Sequence, residues 1–542
     1  MNETIKKTLK DFASMRWFIL VLVSVLMFAT YWFQDFYSGL KPLMESQLGI
    51  TSSQFSTMIG LTTIANMLGM VILGGIILDK WGIRKTSIIF GLVASLGGFI
   101  SAIGAHGILS SDPSSRLTFM IIGRIIFGVG LETTCVLVTR TIVKWFKGYE
   151  LALALTINMG IGRLGSAVGT AISPDIANYN APTAITFAAT LILIGFILYI
   201  IYLIFDVKID KQIKARGDAE EEKFKFSDLG DLFTNKAFLL IAFLCVAFYS
   251  AVFPFMQYAP DLLINKFGFT YDLPANAPKL SLFGSATFGN TMVFVILFIF
   301  GVAFPLLPTN IKNKTNKKLS VIITGILLVL FIYLLRDTFA VWLNNGPKTA
   351  SLIPMGTILF TPIFGRFVDK KGKAASIMIL GSFLLIFAHI TLSVLNSVVL
   401  CYFGLFSLGI AFSLIPAAMW ASVAKIVPDR ALGTAYATMF TIQNWGLGIF
   451  FKGIGTVLDW VNPEVVEKIQ KIRDVLRAQG LSEVEVSERV EEMRKLGQLP
   501  KYDYTIPILM LVFLGVISIF LALGLKKASE KQGYKLEQPF EE

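Results

Sequence analysis

Two charged residues in long apolar segments mark the place in this sequence where chemistry is expected. Glu132 lies in the apolar run 117–143 and Arg163 in the run 148–172, each within about three residues of the centre of its run, or roughly 5 Å along a helix. Leaving either charge in hydrocarbon is costly, so such residues normally face a water-filled cavity or the interior of a helix bundle. A guanidinium pairs well with a carboxylate, and a carboxylate accepts hydrogen bonds from an ammonium group. The two residues therefore predict a binding centre for a small solute.

The same two residues have a second interpretation, a permanent structural ion pair. Opposite charges facing a low-dielectric interior are costly alone, and pairing with each other would offset part of that cost. We favour ligand binding because one charge of each sign at one depth suits a zwitterion.

Other polar residues in apolar runs are weaker candidates for the same cavity. Asp35 and Arg124 each lie near the outer end of a run, where they either form an outer gate or are solvated separately. Lys452 either faces the cavity, where it would attract a carboxylate, or extends to the membrane interface, as lysines near helix ends do. Amphipathic rings and amides suit a wet, adaptable cavity wall. The candidates of this kind are Tyr31, Tyr249, Tyr258, Trp420, Gln443 and Asn444.

The composition is that of a polytopic membrane protein. Of 542 residues, 55% are hydrophobic and 15% are charged, which is too apolar for an ordinary soluble domain. The net charge of +12 does not indicate nucleic-acid binding, because Lys and Arg concentrate in short segments between apolar runs. The sequence shows no metal-ligand cluster, catalytic triad or phosphate-binding loop, and its three cysteines are isolated. We therefore expect no enzyme activity, no cofactor, no metal and no disulfide.

Long apolar runs predict fourteen membrane-spanning helices, six in the first half and eight in the second. With the N-terminus inside, the cytoplasmic loops carry most of the Lys and Arg residues, whereas the opposite loops carry few, among them Lys41 and Lys348. The segment 1–16 is polar and basic and precedes a run long enough to span, so no cleavable signal peptide is expected. The predicted spans are 17–38, 54–78, 86–106, 117–143, 148–172, 183–205, 237–260, 291–308, 318–335, 348–367, 374–395, 398–426, 431–457 and 504–525.

These spans group into two bundles with additional segments. We predict an N-terminal six-helix bundle over 1–205, a charged cytoplasmic linker over 206–235 and a C-terminal bundle over 236–542. Within the C-terminal bundle, 264–347 inserts a pair of apolar helices. The segment 463–498 combines many charged residues with aliphatic residues at helical spacing, which predicts a polar helical hairpin outside the membrane. We expect this hairpin to be a solvated cap over the pathway, with partner docking as the alternative.

An internal repeat relates the two halves. Residues 75–85 read Gly-Ile-Ile-Leu-Asp-Lys-Trp-Gly-Ile-Arg-Lys, and residues 365–373 read Gly-Arg-Phe-Val-Asp-Lys-Lys-Gly-Lys. Glycine permits a tight turn or a close helix contact, and the aspartate can accept hydrogen bonds at a helix N-terminus. We expect these turns to hold the halves together on the cytoplasmic side and to release when the halves rock apart. The predicted gating residues are Asp79, Lys80, Arg84, Asp369 and Lys370, with Arg124 near the outer end.

This repeat resembles the signature of the major facilitator superfamily. That family has two six-helix bundles around a central cavity with alternating access, and the resemblance implies the same fold here, with two inserted helices added. Residues 123–166 are more specifically similar to the lysosomal dipeptide-transporter branch, which includes major facilitator superfamily domain-containing protein 1, and to its bacterial relatives. The similarity continues in 253–255, 266–269, 365–372, 432–436 and 443–444.

In that branch a fourth-helix glutamate and a fifth-helix arginine are taken to hold the charged ends of a dipeptide. Glu132 and Arg163 match these residues in type and setting, and Asp35 matches a first-helix aspartate of the branch. The inserted pair 264–347 and the hairpin 463–498 do not match the branch.

The leading hypothesis is a secondary transporter of dipeptides or similar zwitterions, with Glu132 and Asp35 as the proton sites if transport is proton-coupled. One alternative is an organic-anion or nitrate-type exchanger in which Arg163 and Lys452 form an anion clamp. Another is a non-transporting receptor or scaffold that signals through the hairpin. The expected partners are the small solute, the lipid bilayer and, if coupled, protons; we expect a monomer and no nucleic acid. A bacterial inner membrane is favoured, with a lysosomal-type membrane as the alternative.

Overall fold

The computed structural model describes residues 8–214, 228–278, 280–428 and 431–539. Within these residues the secondary structure is helical, with two isolated bridges and no strand. A lipid environment requires such a structure, because a helix satisfies the backbone N–H and C=O groups within a single segment. The predicted all-α class is confirmed.

Eight α-helices make up the described part of the first half. They are α1 (Ala13–Asp35), α2 (Tyr37–Leu48), α3 (Ser52–Leu61), α4 (Ile64–Met67), α5 (Met70–His106), α6 (Pro113–Phe146), α7 (Leu151–Ile176) and α8 (Ala181–Lys214). α1 and α2 meet at Phe36, so the first predicted span continues further outward than its apolar run. Gly82 interrupts α5 with a φ of 72°, and this kink is the turn between the second and third predicted spans.

Thirteen α-helices make up the described part of the second half. They are α9 (Asp228–Thr234), α10 (Lys236–Phe267), α11 (Ala286–Asn310), α12 (Lys314–Leu334), α13 (Arg336–Leu343), α14 (Gly346–Ala350), α15 (Leu352–Lys371), α16 (Ala374–Val394), α17 (Val398–Ile426), α18 (Leu432–Val461), α19 (Pro463–Ala478), α20 (Glu483–Lys495) and α21 (Thr505–Gln532). The predicted polar hairpin is present as α19 and α20.

Eleven helices in the described residues are long and apolar enough to cross a membrane. Three further helical stretches occupy the remaining predicted spans: the segment 52–81, α7 and α18. These stretches are less apolar because they carry polar and charged residues, among them Arg163 on α7. The structure is therefore compatible with the fourteen predicted spans.

Helix packing brings the two halves together along two seams. α3 packs against α18 on one side of the molecule, and α7 packs against α15 on the other. The inserted helix α11 lies against both α7 and α15, so it covers the second seam. α12 packs mainly on α11 and is otherwise largely exposed, as expected for a helix surrounded by lipid.

The predicted linker begins inside a helix. α8 continues to Lys214, and its residues Asp206 and Asp210 form ion pairs with Arg84 and Lys144 on α5 and α6. These acids attach the start of the predicted linker to the first bundle. Residues 215–227 of the linker lie outside the described part of the chain.

The structure explains why residue 372, in the second copy of the repeat, is a glycine. Gly372 adopts a φ of +67°, and a Cβ atom at this position would lie 2.3 Å from the carbonyl carbon of Gln538. The C-terminal tail packs here, where the N–H group of Ala374 donates to the carbonyl oxygen of Leu536 at 3.0 Å. A side chain at residue 372 would therefore displace the tail.

Candidate functional site: a central cavity

A cavity of about 800 Å³ lies between the two halves. Its lining extends from Asp35, at the outer end of α1, to Leu78 and Val143, near the cytoplasmic ends of their spans. Helices α1, α4, α5, α6 and α7 supply the first-half wall, and α10, α17 and α18 supply the second-half wall. The cavity therefore extends from the middle of the molecule toward the predicted cytoplasmic side.

Arg163 lies in the middle of α7 and lines this cavity. Its Nη1 atom is buried without a hydrogen-bond acceptor in the described residues. Its Cζ atom lies 4.6 Å from the ring centroid of Phe412 and 5.9 Å from that of Phe253. Because a cation without a counter-ion is costly in a low-dielectric site, this arrangement favours an anionic group that enters the cavity.

Glu132 lines the same cavity from the middle of α6 and is half-buried. Among the described residues, its carboxylate accepts no hydrogen bond and forms no ion pair. The structural pair with Arg163 is therefore not formed in this state. Two opposite charges that are not paired with each other can each bind one end of a zwitterionic solute.

Asp35 lines the outer end of the cavity and connects the two halves. Its Oδ2 atom accepts a hydrogen bond from Ser166 Oγ on α7 at 2.6 Å. Its Oδ1 atom accepts one from Gln257 Nε2 on α10 at 3.0 Å. The carboxylate is thus already bonded to both halves, unlike that of Glu132.

The predicted gate between Asp35 and Arg124 is not formed, and this expectation is corrected. Arg124 is fully buried and donates from Nη1 to the carbonyl oxygen of Phe33 at 2.9 Å. Its Cζ atom lies 4.8 Å from the ring centroid of Tyr37 and 5.6 Å from that of Phe127. A backbone carbonyl and ring faces, rather than the carboxylate, therefore hold this guanidinium.

The second-half wall is aromatic and amide-rich. Trp420 Nε1 donates to the hydroxyl of Tyr249 at 3.2 Å, and Asn444 Nδ2 donates to the carbonyl oxygen of Phe440 at 2.9 Å. Gln443 also lines the cavity. With Tyr31 from the first half, eight of the ten predicted substrate residues lie on the wall; these are Tyr31, Asp35, Glu132, Arg163, Tyr249, Trp420, Gln443 and Asn444.

Lys452 does not line the cavity, which corrects the prediction that it attracts the substrate. Its Nζ atom donates to Thr57 Oγ1 at 2.6 Å and to Ser53 Oγ at 3.1 Å, both on α3. Phe451, the preceding residue, is the one that faces the cavity. Because one residue turns a helix by about 100°, the lysine points to the seam between α3 and α18.

Tyr258 is also displaced from its predicted place on the wall. Its side chain is 1% exposed, and its hydroxyl donates to the carbonyl oxygen of Ser52 at 2.8 Å. The ring packs against that of Phe55 with the centroids 5.5 Å apart. Tyr258 therefore belongs to the contact between the halves on the outer side of the cavity.

Sequence reasoning missed several residues of the site. Phe253 follows Tyr249 by one helical turn, so the same face of α10 should have suggested it. Phe412 is buried in a continuous apolar run, where no periodic signal marks the face that contacts Arg163. The remaining missed polar residues of the lining include Gln34, Asn66 and Cys135.

Two buried ion pairs close the outer end, and neither was predicted. Lys41 Nζ on α2 lies 2.6 Å from Asp261 Oδ2 on α10, with side chains 2% and 3% exposed. The hydroxyl of Tyr504 also donates to Asp261. Lys348 Nζ on α14 lies 2.6 Å from Asp175 Oδ2 on α7. Both lysines were expected in loops, but each instead connects one half of the molecule to the other.

The helical hairpin α19–α20 rests on the first half at this end. Arg473 is 4% exposed and donates from Nη2 to the carbonyl oxygens of Glu45 and Ser46 at 2.7 and 2.5 Å. The hydroxyl of Ser46 donates to Glu491 Oε2 at 2.5 Å. These bonds seat the hairpin on α2, as the expected cap would require.

Of the predicted cytoplasmic gating residues, Arg84 has its described ion pairs within the first half, with acids of α8. Lys80 and Lys370 are exposed, and Asp369 is half-buried. The side chain of Asp79 lies outside the described part of the chain. Their role as a clamp in the other state stays a prediction.

Comparison with known families agrees with this architecture. A sequence model described as Major Facilitator Superfamily matches residues 20–345, more than half of the chain. The chain belongs to the Major Facilitator Superfamily. It is therefore a multi-pass membrane transporter of a family that is not a class of enzymes, and the cavity is the place where such a fold holds its solute.

Curated relatives of this Major Facilitator Superfamily protein carry a substrate in their names. The chain is 25% identical over 455 residues to a protein of Danio rerio named lysosomal dipeptide transporter MFSD1, covering 81% of this chain and 80% of the relative. It is 26% identical over 459 residues to the protein of the same name from Homo sapiens, covering 82% and 80%.

Solved structures support the fold. A mutant of the nucleoside transporter NupG aligns with a TM-score of 0.55 and 14% identity, covering 94% of this chain and 99% of that chain. A bacterial homologue of the human drug peptide transporters PepT1 and PepT2 aligns with a TM-score of 0.51 and 13% identity, covering 95% and 99%. The major facilitator fold predicted from the repeat is confirmed.

Proposed function

We propose that this protein transports dipeptides or similar small zwitterionic solutes by alternating access. The observation that carries the proposal is the pair Glu132 and Arg163, which line one cavity with opposite charges and are not bonded to each other. In this proposal Arg163 binds the carboxylate of the solute and Glu132 binds its ammonium group.

The rest of the cavity fits a solute with variable side chains. Its volume of about 800 Å³ lies within the usual range of ligand sites. The charges come from the first half, whereas the second half supplies Tyr249, Phe253, Trp420 and Asn444, which offer apolar faces with scattered polar atoms. Such a wall accepts different side chains because few of its contacts demand one shape. The names of the curated relatives support the same substrate class.

The position of Lys452 weakens the anion-exchanger alternative. That hypothesis requires a second cation beside Arg163, but Lys452 is bonded to hydroxyl groups of α3 at the seam. The receptor alternative depends on a hairpin free to dock a partner. Arg473 and Glu491 of this hairpin are instead buried against α2, which favours the cap.

Uptake of a labelled dipeptide into proteoliposomes tests the proposal. We expect Glu132→Gln and Arg163→Gln each to lower kcat/KM for the dipeptide by about 10- to 100-fold, because each removes one charge-assisted hydrogen-bonding group. Matched controls are Glu464→Gln and Arg489→Gln, which make the same chemical changes on exposed hairpin residues. Absence of uptake for any dipeptide or tripeptide would contradict the proposal.

The same assay separates the alternatives. An anion exchanger predicts that Glu132→Gln leaves transport of a small organic anion intact. A scaffold predicts no flux even with the hairpin in place. Repeating uptake with and without a pH gradient decides whether protons are coupled, with Glu132 and Asp35 as the predicted proton sites. The bacterial inner membrane stays our prediction for location, and the relatives named lysosomal make a lysosomal-type membrane the alternative.

A further inference from the structure

The guanidinium of Arg163 is surrounded by aromatic rings. Its Cζ atom lies 4.6 Å from the ring centroid of Phe412, 5.9 Å from that of Phe253 and 6.0 Å from that of Tyr31. We call these three residues the aromatic clamp. Phe253 and Phe412 belong to the second half, whereas Arg163 belongs to the first, so the contact crosses between the bundles.

Other rings hold the clamp in a fixed arrangement. Phe253 stacks on Tyr249 with the centroids 5.3 Å apart and an interplanar angle of 11°. Phe412 meets the edge of Phe253 at 5.6 Å and lies 6.4 Å from Phe248. Phe412 is 2% exposed, so its position is set by packing rather than by solvent. Contacts within the protein therefore fix the two second-half rings of the clamp.

Ring faces and a carboxylate use different parts of the same guanidinium. A ring attracts the cation through its electron-rich face, whereas a carboxylate bonds to N–H groups in the guanidinium plane. Contact with the clamp thus leaves the in-plane donors available, and the buried Nη1 atom indeed lacks an acceptor among the described residues. An acidic residue in the same place would instead compete with the solute for these donors.

We propose that Phe412, assisted by Phe253, is a positioning residue that holds Arg163 ready for the carboxylate of the solute. This proposal rests on the proposed function, because it assigns the carboxylate to Arg163. Without the clamp, the guanidinium loses its support and can turn toward Asp35 or Glu132. The affinity for the solute then falls, whereas the steps after binding are less affected.

Steady-state uptake of a labelled dipeptide by Phe412 variants tests this role. Phe412→Leu is expected to raise KM by about 5- to 30-fold with kcat changed less than about twofold. Phe412→Trp keeps a ring face and is expected to retain a KM near that of the original protein. Phe360→Leu is the matched control, since it removes a second-half ring that stacks on Phe364 instead of an arginine.

Two results of the uptake experiment would overturn the proposal. One is an unchanged KM in Phe412→Leu. The other is an equal rise of KM in Phe412→Leu and Phe412→Trp, which would indicate general packing. If Phe412→Leu does not fold, the KM of Phe253→Leu is measured instead, and an unchanged KM would again overturn the proposal.

A double-mutant cycle separates failure of the clamp from failure of the proposed function. Thermal unfolding without solute is measured for Arg163→Gln, Phe412→Leu and the double variant. A real contact predicts that the two shifts in Tm are not additive, with a departure of at least about 2 °C. Additive shifts would overturn the clamp. Non-additive shifts in a protein that transports no dipeptide would keep the clamp and reject the substrate.

Discussion

The two ends of the cavity, which we predict to face outward and toward the cytoplasm, differ in where their charged residues find partners. At the outer end Lys41 and Asp261 join the two halves through a buried pair. At the cytoplasmic end Arg84 pairs with Asp206, within the first half. Apolar contacts are non-directional, whereas a buried ion pair is formed only when its two sides meet in register. The buried pairs therefore hold the halves together at the outer end in this state.

Among the variants that test this difference between the ends, breaking the Lys41–Asp261 pair should change stability and the closure of the outer end most. Lys41→Met leaves Asp261 buried without its counter-ion, which is expected to cost about 3–5 kcal/mol and to favour states with an open outer end. Cys135 is a native reporter because it lines the cavity, whereas Cys245 and Cys401 are buried. We expect a membrane-impermeant maleimide added outside to label Cys135 in the variant and not in the original protein.

Two controls accompany the Lys41 experiment. Cys135→Ser in the same background must abolish the labelling. The double variant Lys41→Met with Asp261→Leu replaces both charges by apolar groups and is expected to recover much of the lost stability. Labelling of the original protein from outside at the rate seen in Lys41→Met would contradict a closed outer end.

Breaking the second ion pair of the outer end, between Lys348 and Asp175, should reduce stability less. Asp175 is 11% exposed, so water can partly solvate its carboxylate after Lys348→Met. We expect a loss of about 1–3 kcal/mol and weaker outside labelling of Cys135 than with Lys41→Met. Thermal unfolding and the maleimide assay measure both quantities. An effect larger than that of Lys41→Met would reverse our ranking of the two pairs.

These pairs also show what could be predicted from the sequence. The charges of Glu132 and Arg163 stand out because they interrupt apolar runs, and the repeat indicates the fold. Lys41 and Asp261 are separated by 220 residues, and nothing local to either one indicates the other. Pairing across two bundles depends on tertiary packing, so only the structure reveals it.

The sequence also did not predict which face of each helix is turned toward the cavity. Phe451 faces the cavity and Lys452 does not, although they are neighbours in the chain. On α18 polar residues face both the cavity and the contact with α3, so residue type alone does not tell these two faces apart. For Arg124 on α6 the sequence left open a gate with Asp35 and a separate solvated position, and the residue is instead buried against the carbonyl oxygen of Phe33. Residue type therefore predicted the chemistry better than it predicted the contacts.

At the predicted cytoplasmic end, the loss of the two Arg84 ion pairs should leave the outer end unchanged. Arg84 is 40% exposed and Asp210 is 37% exposed, so solvent screens much of their interaction, and the buried Asp206 keeps Lys144 as a counter-ion at 2.6 Å. Arg84→Gln is expected to lower the stability by less than about 1 kcal/mol. Cys135 should remain unlabelled from outside. Outside labelling as strong as in Lys41→Met would show that the two ends are not distinguished by their ion pairs.

The smallest expected effect concerns the hairpin, outside the membrane. Arg477 donates to both carboxylate oxygens of Glu483 at 2.7 and 3.2 Å, which lowers the pKa of Glu483 below its usual value. A depressed folded-state pKa contributes stability that is present above the unfolded-state value, about 4.5, and is lost as the pH falls through the folded-state value. Both side chains are 32% exposed, so we expect the ion pair to contribute less than about 1 kcal/mol to stability.

Proteolysis of the hairpin should therefore accelerate slightly below pH about 4.5, and Glu483→Gln should remove this particular pH dependence. An unchanged acid response in Glu483→Gln would mean that other groups of the outer end, and not this pair, respond to acid.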